Sequence, residues 1–294
     1  MQPVARPSEW SYGLELELSN VPRLLEIPED LGSWEFSERD IVNTSGEFRG
    51  VAADPLGQNP PVGGEINTVP TVGWRNQQSV ANSIIHWFVN HGHQPAVGPT
   101  AHGHVHVHIP GITQNIGALH RIMAYIQANQ ADMVKICGRF DKRVNMTPAA
   151  VQYMKLDGGR MMPDWMIQNI LMKTRAFDEF IRMHAAGKDG VSMGRPFRYA
   201  VNTYCLKHTQ TIEFRMFRAT VDHVLIANSM QACELFLSEA LFAIRPRPFR
   251  EVVTEAQLEF APMQWERELW DGLKATKHPE NRGKKSRKYM EARK

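Results

Sequence analysis

Acidic, histidine and arginine side chains recur at every second position in several short stretches of this 294-residue chain. Two carboxylates that are two residues apart on a strand lie about 6.5 to 7 Å apart on the same side of a sheet. Because two ionised carboxylates repel each other, such a pair needs a cation or an arginine beside it. A divalent metal ion meets that need, and several hard oxygen ligands suit Mg²⁺ or Mn²⁺. The residues concerned are Glu15, Glu17, Glu65, Glu213 and Arg215, with His104, His106 and His108.

Each of these stretches also has an ordinary explanation. Glu15 and Glu17 alone are typical of a solvated strand face, and alternating histidines can form a polar stripe on a strand. The H-x-H pattern also occurs in zinc and iron sites, which leaves a transition-metal enzyme open as an alternative. A cupin-like site would have a carboxylate a few residues after the histidines, and no glutamate occurs between His108 and Glu179. The sequence therefore favours magnesium or manganese.

Other kinds of active site lack their sequence patterns in this chain. The G-x-S-x-G motif of serine hydrolases, the Walker A loop and the G-x-G-x-x-G loop are all absent. Any nucleotide would therefore have to be held by metal and arginines rather than by a glycine-rich loop. The three cysteines, Cys137, Cys205 and Cys233, have no C-x-x-C spacing and lie in apolar contexts that are typical of buried thiols.

The hydrophobic pattern predicts an α+β fold. Alternation predicts strands over 12–18, 64–68, 104–109, 198–206 and 211–217, and helical spacing predicts helices over 74–91, 113–137, 163–186, 222–244 and 255–274. Strands that are buried on both faces of a parallel sheet have continuous apolar runs, whereas these alternate strictly. We therefore expect a mainly antiparallel sheet with helices packed on one face and an open second face. That face would carry Thr211, Glu213, Arg215 and Phe217.

The composition is that of a globular protein, with 43% hydrophobic and 22% charged residues, and we expect one domain over residues 1–280. Residues 281–294 carry seven basic side chains and one acidic one, which is more typical of a solvated tail than of a nucleic-acid-binding segment. No apolar run reaches the roughly 18 to 20 residues of a membrane span, and residues 1–9 contain no signal-like apolar stretch. Because the cysteines also show no disulfide pattern, we expect a cytoplasmic protein.

Five motifs follow one another in a characteristic order. They are G-L-E-L-E (13–17), G-G-E-I-N-T-V-P (63–70), G-H-V-H-V-H (103–108), R-Y-A-V-N (198–202) and T-I-E-F-R-M-F (211–217). In this order they resemble the amidoligase family, carboxylate-amine ligases that are related to glutamate-cysteine ligase and glutamine synthetase. The resemblance covers residues 13–220, and some members of the family occur in phage genomes. It leaves open which acid and which amine are joined, and it leaves open the oligomeric state.

The resemblance implies a glutamine synthetase-like fold whose antiparallel sheet forms an open trough for ATP and Mg²⁺ or Mn²⁺. It implies an amide bond that forms through an acyl phosphate. The implied metal ligands are Glu15, Glu17 and Glu213, with Glu65 as a metal ligand or an amine-side residue. The match leaves two histidine pairs open, His104 with His106 or His106 with His108. The implied phosphate or carboxylate contacts are Arg198, Asn202 and Arg215. The basic loop that contains Arg139 is a candidate for closing over the nucleotide.

Amide formation from a carboxylate requires activation by ATP, positioning and charge neutralisation. Arg198 and Arg215 would supply positive charge, and His106 is the candidate base for the proton of the incoming amine. The expected partners are a carboxylate and an amine, as small molecules or peptides, and no membrane. Two other classes of function stay open. One is a zinc or iron enzyme that uses the histidine strand, and the other is a non-enzymatic protein on a ligase-like scaffold that binds nucleic acid through its basic tail.

Overall fold

The structure is a computed structural model, and it describes residues 3–21, 28–36, 62–95, 97, 102–137, 175–185 and 200–260. Residues Met1–Ala261 form one compact unit. The described strands are β1 (Ser11–Val21), β2 (Gly32–Phe36), β3 (Val62–Thr68), β4 (Thr71–Val72), β5 (His102–His108), β6 (Val201–Asn202) and β7 (Thr211–Arg218). The described α-helices are α1 (Trp74–Asn90), α2 (Ile116–Ile136), α3 (Phe177–Ala185), α4 (His223–Phe242) and α5 (Phe249–Glu255). The boundary predicted at residue 280 and the basic tail lie outside these ranges.

All the described strands belong to one sheet in the order β2-β3-β1-β5-β7-β6, and β4 pairs with the first two residues of β1. Every pairing in this sheet is antiparallel. The described strands do not close into a barrel, because β2 and β6 form the two ends of the strand order. The predicted α+β class with an antiparallel sheet is therefore confirmed.

One face of the sheet packs against the helices. Leu14 and Leu16 of β1, Val105 of β5 and Phe214 of β7 are buried in a single apolar core with residues of α1, α2 and α4. Phe236 of α4 lies at its centre. Its ring centroid is 4.6 Å from that of Tyr125, 5.7 Å from that of Phe214 and 5.7 Å from that of Phe249. Because side chains alternate along a strand, the intervening polar residues project from the opposite face.

Three of the predicted helices are confirmed, since α1, α2 and α4 lie within 74–91, 113–137 and 222–244. The start of α4 is set by Asp222, whose side chain accepts hydrogen bonds from the backbone N–H groups of Val224 and Leu225 at 2.8 and 3.3 Å. Two other predictions are wrong in their bounds. Residues 175 and 176 precede the helix that begins at Phe177, and the predicted residues 163–174 and 186 lie outside the described ranges. Residues 256–260 are not helical, because α5 ends at Glu255 and the chain takes a left-handed conformation at Gln257 (φ 54°); the predicted residues 261–274 lie outside the described ranges.

Two strand predictions near the chemistry are also corrected. The strand predicted over 198–206 is only Val201–Asn202 where it is described, because the Asn202 side chain accepts a hydrogen bond from the backbone N–H of Tyr204 and the chain turns there into a short 3₁₀ helix. Phe217 lies on the face of the sheet that packs against the helices, and not on the open second face where the sequence predicted it. The register between β5 and β7 shifts between Gly103 and Val105, and this bulge turns Phe217 inward, where its ring stacks on Phe260 at 6.0 Å.

Among the described residues, no helix combines the length and the apolar character that a membrane crossing requires.

Candidate metal centre

The register of three neighbouring strands brings residues that are distant in the sequence into one row. Glu15 on β1 is paired with His104 on β5, and Gly13 is paired with His106. His106 is in turn paired with Glu213 on β7. The strict alternation of β1, β5 and β7 puts these polar side chains on the face away from the helices, so that the sheet itself builds the site.

The Glu15 carboxylate lies between two histidines. Its Oε2 is 2.5 Å from Nδ1 of His104, and its Oε1 is 2.8 Å from Nε2 of His106. Glu213 Oε1 is 3.5 Å from His104 Nδ1 and 4.0 Å from His106 Nε2. Glu15, His106 and Glu213 each offer one ligand atom, and these three atoms lie within 4.8 Å of one another. This group is the candidate metal centre.

Glu213 is held in place by donors from two strands and a turn. Its Oε2 accepts hydrogen bonds from Asn202 Nδ2 at 2.8 Å and from the thiol of Cys205 at 3.2 Å. The Arg215 guanidinium pairs with its other oxygen, Oε1. The Glu213 side chain is only 4% exposed, so its position is determined by these contacts rather than by solvent.

β3 adds a second carboxylate pair beside the metal centre. Glu65 is paired with Glu17 across β3 and β1, and it shares a hydrogen bond with Glu15. Burial and the negative charges of Glu15 and Glu17 raise the pKa of Glu65 to about 8. Glu17 accepts a hydrogen bond from the backbone N–H of His102 at 2.8 Å. Without a cation, this end of the site therefore holds at least one of its carboxylates protonated at neutral pH.

The electrostatics around the histidines favour ionised carboxylates. Burial alone would raise the pKa of Glu15, but its contacts with His104 and His106 outweigh burial and hold that pKa well below its usual value. Burial also opposes ionisation of Glu213, and the charges of His104, Arg215 and His106 lower its pKa. Burial and Arg215 lower the pKa of His104. Burial would lower the pKa of His106 as well, but Glu15 and Glu213 raise it.

Two buried imidazole nitrogens bear on what the centre can hold. Nε2 of His106 is buried and lies 2.8 Å from Oε1 of Glu15. Nε2 of His104 is also buried without a hydrogen-bond partner. Buried polar atoms rarely lack partners in folded proteins. Two carboxylates and one imidazole nitrogen in mutual reach fit a divalent cation such as Mn²⁺, Mg²⁺ or Zn²⁺.

Sequence reasoning missed two residues that contact the centre, Cys205 and Thr211, and the strand β2 at the edge of the sheet. Cys205 was interpreted as a buried thiol in an apolar context, but it donates to Glu213, and burial is the main reason that its pKa is raised. Thr211 contacts His106. The sequence indicated this position, because Thr211 and Glu213 are two residues apart on one strand and therefore lie on the same face. Glu35 on β2 stands opposite Glu65 in the register. No pattern in the sequence pointed to β2.

The predicted site residues therefore fall into three groups. Those in mutual contact are Glu15, His104, His106, Asn202, Glu213 and Arg215, and Glu17 and Glu65 lie beside them. Arg198 and Arg139 lie outside the described residues, so their predicted roles stay predictions. The face is also more enclosed than expected, because His104, Asn202 and Glu213 are buried.

Comparisons of this chain with protein-family models, with curated proteins and with solved structures each found no match.

Proposed function

We propose that this protein is an ATP-dependent carboxylate-amine ligase whose metal-nucleotide site lies on the polar face of the sheet. The single observation that carries the proposal is that Glu15, His106 and Glu213, from three different strands, place ligand atoms within 4.8 Å of one another. Glu17, Glu65 and Arg215 surround this group with further charge. An antiparallel sheet with one acidic face is also what a glutamine synthetase-like fold requires, and we propose that fold for the chain.

The proposed reaction has two steps. An oxygen of the substrate carboxylate attacks the γ-phosphorus of ATP, ADP leaves, and an acyl phosphate forms. The nitrogen of the amine then attacks the acyl carbon, inorganic phosphate leaves, and a base takes the proton of the amine. Positioning and charge neutralisation dominate both steps.

Glu15, His106 and Glu213 would hold a divalent ion, which neutralises phosphate charge when it is bound. Arg215 would stabilise the transferred phosphoryl group, and its pairing with the buried Glu213 fixes where its guanidinium lies. Arg198 and Arg139 keep their proposed places at the phosphates or at the substrate carboxylate, and Asn202 acts through Glu213, to which it donates a hydrogen bond. The half-buried setting would protect the acyl phosphate from water.

His106 has two proposed roles, metal ligand and base, and its contacts favour the first. Nε2 faces Glu15 and Glu213, and Nδ1 contacts the hydroxyl of Thr211 at 3.0 Å. A ligating histidine usually has its second ring nitrogen bonded in this way.

The proposal is tested by ADP release from ATP and Mg²⁺ or Mn²⁺ in mixtures of carboxylic acids and amines, with amide products identified by mass spectrometry. We expect turnover that requires both an acid and an amine. Glu15→Gln should abolish it, and the exposed Glu29→Gln should not. ADP release with no amide product, or full activity in Glu15→Gln, would contradict the proposal.

A zinc or iron enzyme is the second candidate, and the two histidines in contact with Glu15 are the observation that favours it. Elemental analysis of protein purified without added metal separates the two candidates. Stoichiometric zinc or iron that is lost in His104→Ala and His106→Ala would favour the second.

A further inference from the structure

A row of hydroxyl groups leads away from His106 on the side opposite the metal centre. Nδ1 of His106 is 3.0 Å from Oγ1 of Thr211, and Oγ1 of Thr211 is 2.7 Å from Oγ1 of Thr209. Thr209 in turn donates its hydroxyl proton to the backbone carbonyl of Cys205 at 3.0 Å. The row therefore ends at a carbonyl oxygen, which can accept hydrogen bonds but cannot donate one.

Each hydroxyl has one proton, so the end of the row determines its direction. In the first of two directions, Thr209 donates to the carbonyl of Cys205 and accepts the proton of Thr211. Thr211 has then used its own proton and can only accept from the ring of His106. In this direction Nδ1 of His106 carries a proton, and the lone pair of the neutral ring is on Nε2.

The opposite direction is conceivable, because the Cys205 carbonyl also accepts from the backbone N–H of Thr209 at 2.8 Å. In that case Thr209 would donate to Thr211, Thr211 would donate to Nδ1, and Nε2–H would have to donate to Glu15. A cation between Glu15 and Glu213 excludes this direction, because Nε2 can bind a cation only through its lone pair. Only the first direction leaves that lone pair free.

We propose that Thr209 and Thr211 are positioning residues that keep the proton of His106 on Nδ1, so that Nε2 is presented to a divalent cation between Glu15 and Glu213. The inference rests on the metal site of the proposed function but not on the ligase reaction. Replacing a residue that hydrogen-bonds to a metal-ligating histidine, and does not itself bind the metal, typically lowers metal affinity by about 10- to 100-fold.

The test is the affinity of metal-free protein for Mn²⁺ and Zn²⁺, measured by calorimetry without substrates. We expect Thr211→Val, which keeps the shape of the side chain and removes the hydroxyl, to weaken binding about 10- to 100-fold. Thr211→Ser should restore it, and Thr209→Val should weaken it less because that hydroxyl is one step further away. Thr254→Val on the exposed face of α5 is the matched control and should bind as the parent protein does.

Nitrogen NMR of the Zn²⁺ complex shows which ring nitrogen of His106 carries the proton and which binds the metal. A purely structural role of Thr211 would leave this pattern unchanged. We expect His106 to have a protonated Nδ1 and a metal-bound Nε2, and this pattern should be lost in Thr211→Val. Metal bound through Nδ1, unchanged affinity in Thr211→Val, or no saturable binding by the parent protein would overturn the inference. A protein that binds metal as expected and forms no amide would contradict the proposed function alone.

Discussion

Replacing Glu65 with glutamine should make the metal-free protein more stable at pH 8 and leave its stability at pH 4 nearly unchanged. Glu65 faces Glu17 across the sheet and contacts Glu15, and burial with these charges raises its pKa from 4.5 to about 8. The folded protein therefore binds this proton more tightly than the unfolded chain does. Between pH 4.5 and about 8 the unfolded chain loses this proton while the folded state keeps it, so stability falls as the pH rises.

The size of the effect follows from the shift in pKa. One pKa unit corresponds to about 1.4 kcal/mol, so ionisation of Glu65 in the unfolded chain, while the folded state holds the proton, removes at most about 4 kcal/mol of stability at pH 8 relative to pH 4. Solvent screening of this half-buried group reduces the expected value to about 2 to 4 kcal/mol. Glu65→Gln cannot ionise, so its unfolding free energy should exceed that of the parent protein by this amount at pH 8.

The assay is urea unfolding in EDTA at several pH values for the parent protein, for Glu65→Gln and for Glu29→Gln as an exposed control. The difference between parent and Glu65→Gln isolates the contribution of this one carboxyl group. Added Mn²⁺ should reverse the sign, because a cation stabilises the ionised carboxylates. Parallel pH profiles for the parent and Glu65→Gln in EDTA would refute the reasoning.

Three further predictions concern the parts that hold the site in place. Asp222→Ala removes the two hydrogen bonds that begin α4 and should destabilise the protein by about 1 kcal/mol in urea unfolding, with Asp222→Asn close to the parent. Phe236→Ala opens a cavity in the core and should lower the free energy of unfolding by about 3 to 5 kcal/mol. A decrease of less than about 1 kcal/mol would contradict the packing described. Glu213→Ala removes the buried carboxylate that pairs with Arg215 and should lower the free energy of unfolding by about 3 to 5 kcal/mol. Glu213→Gln should lower it less, because glutamine still accepts hydrogen bonds, and equal losses in the two variants would contradict this.

Much of the site could be predicted because side-chain alternation has a period of two. Once Leu14 and Leu16 were assigned to the core, Glu15 and Glu17 had to lie on the other face, and the same reasoning placed Glu213 opposite Phe214. What alternation cannot provide is the register between strands. The sequence therefore predicted which residues share a face but not that Glu15 would lie between His104 and His106.

The errors have equally specific causes. The bulge opposite β5 depends on a shift in pairing between Gly103 and Val105, and alternation within β7 alone could not reveal it, so Phe217 was assigned to the wrong face. The early end of β6 depends on a side-chain hydrogen bond from Asn202 to the backbone of Tyr204. That same turn brings Cys205 to Glu213. Local side-chain bonding of this kind competes with strand pairing and leaves little trace in hydropathy.

The central claim is that carboxylates and imidazoles from separate strands form one cation site. Calorimetric titration of Mn²⁺ into EDTA-treated, dialysed protein tests it most directly, with Glu15→Gln and Glu213→Gln measured beside the parent protein and Glu29→Gln as the control. We predict saturable binding by the parent and the control, and at least about a 10-fold loss of affinity in each of the other two variants. Binding that neither substitution weakens, or no saturable binding at all, would contradict the account.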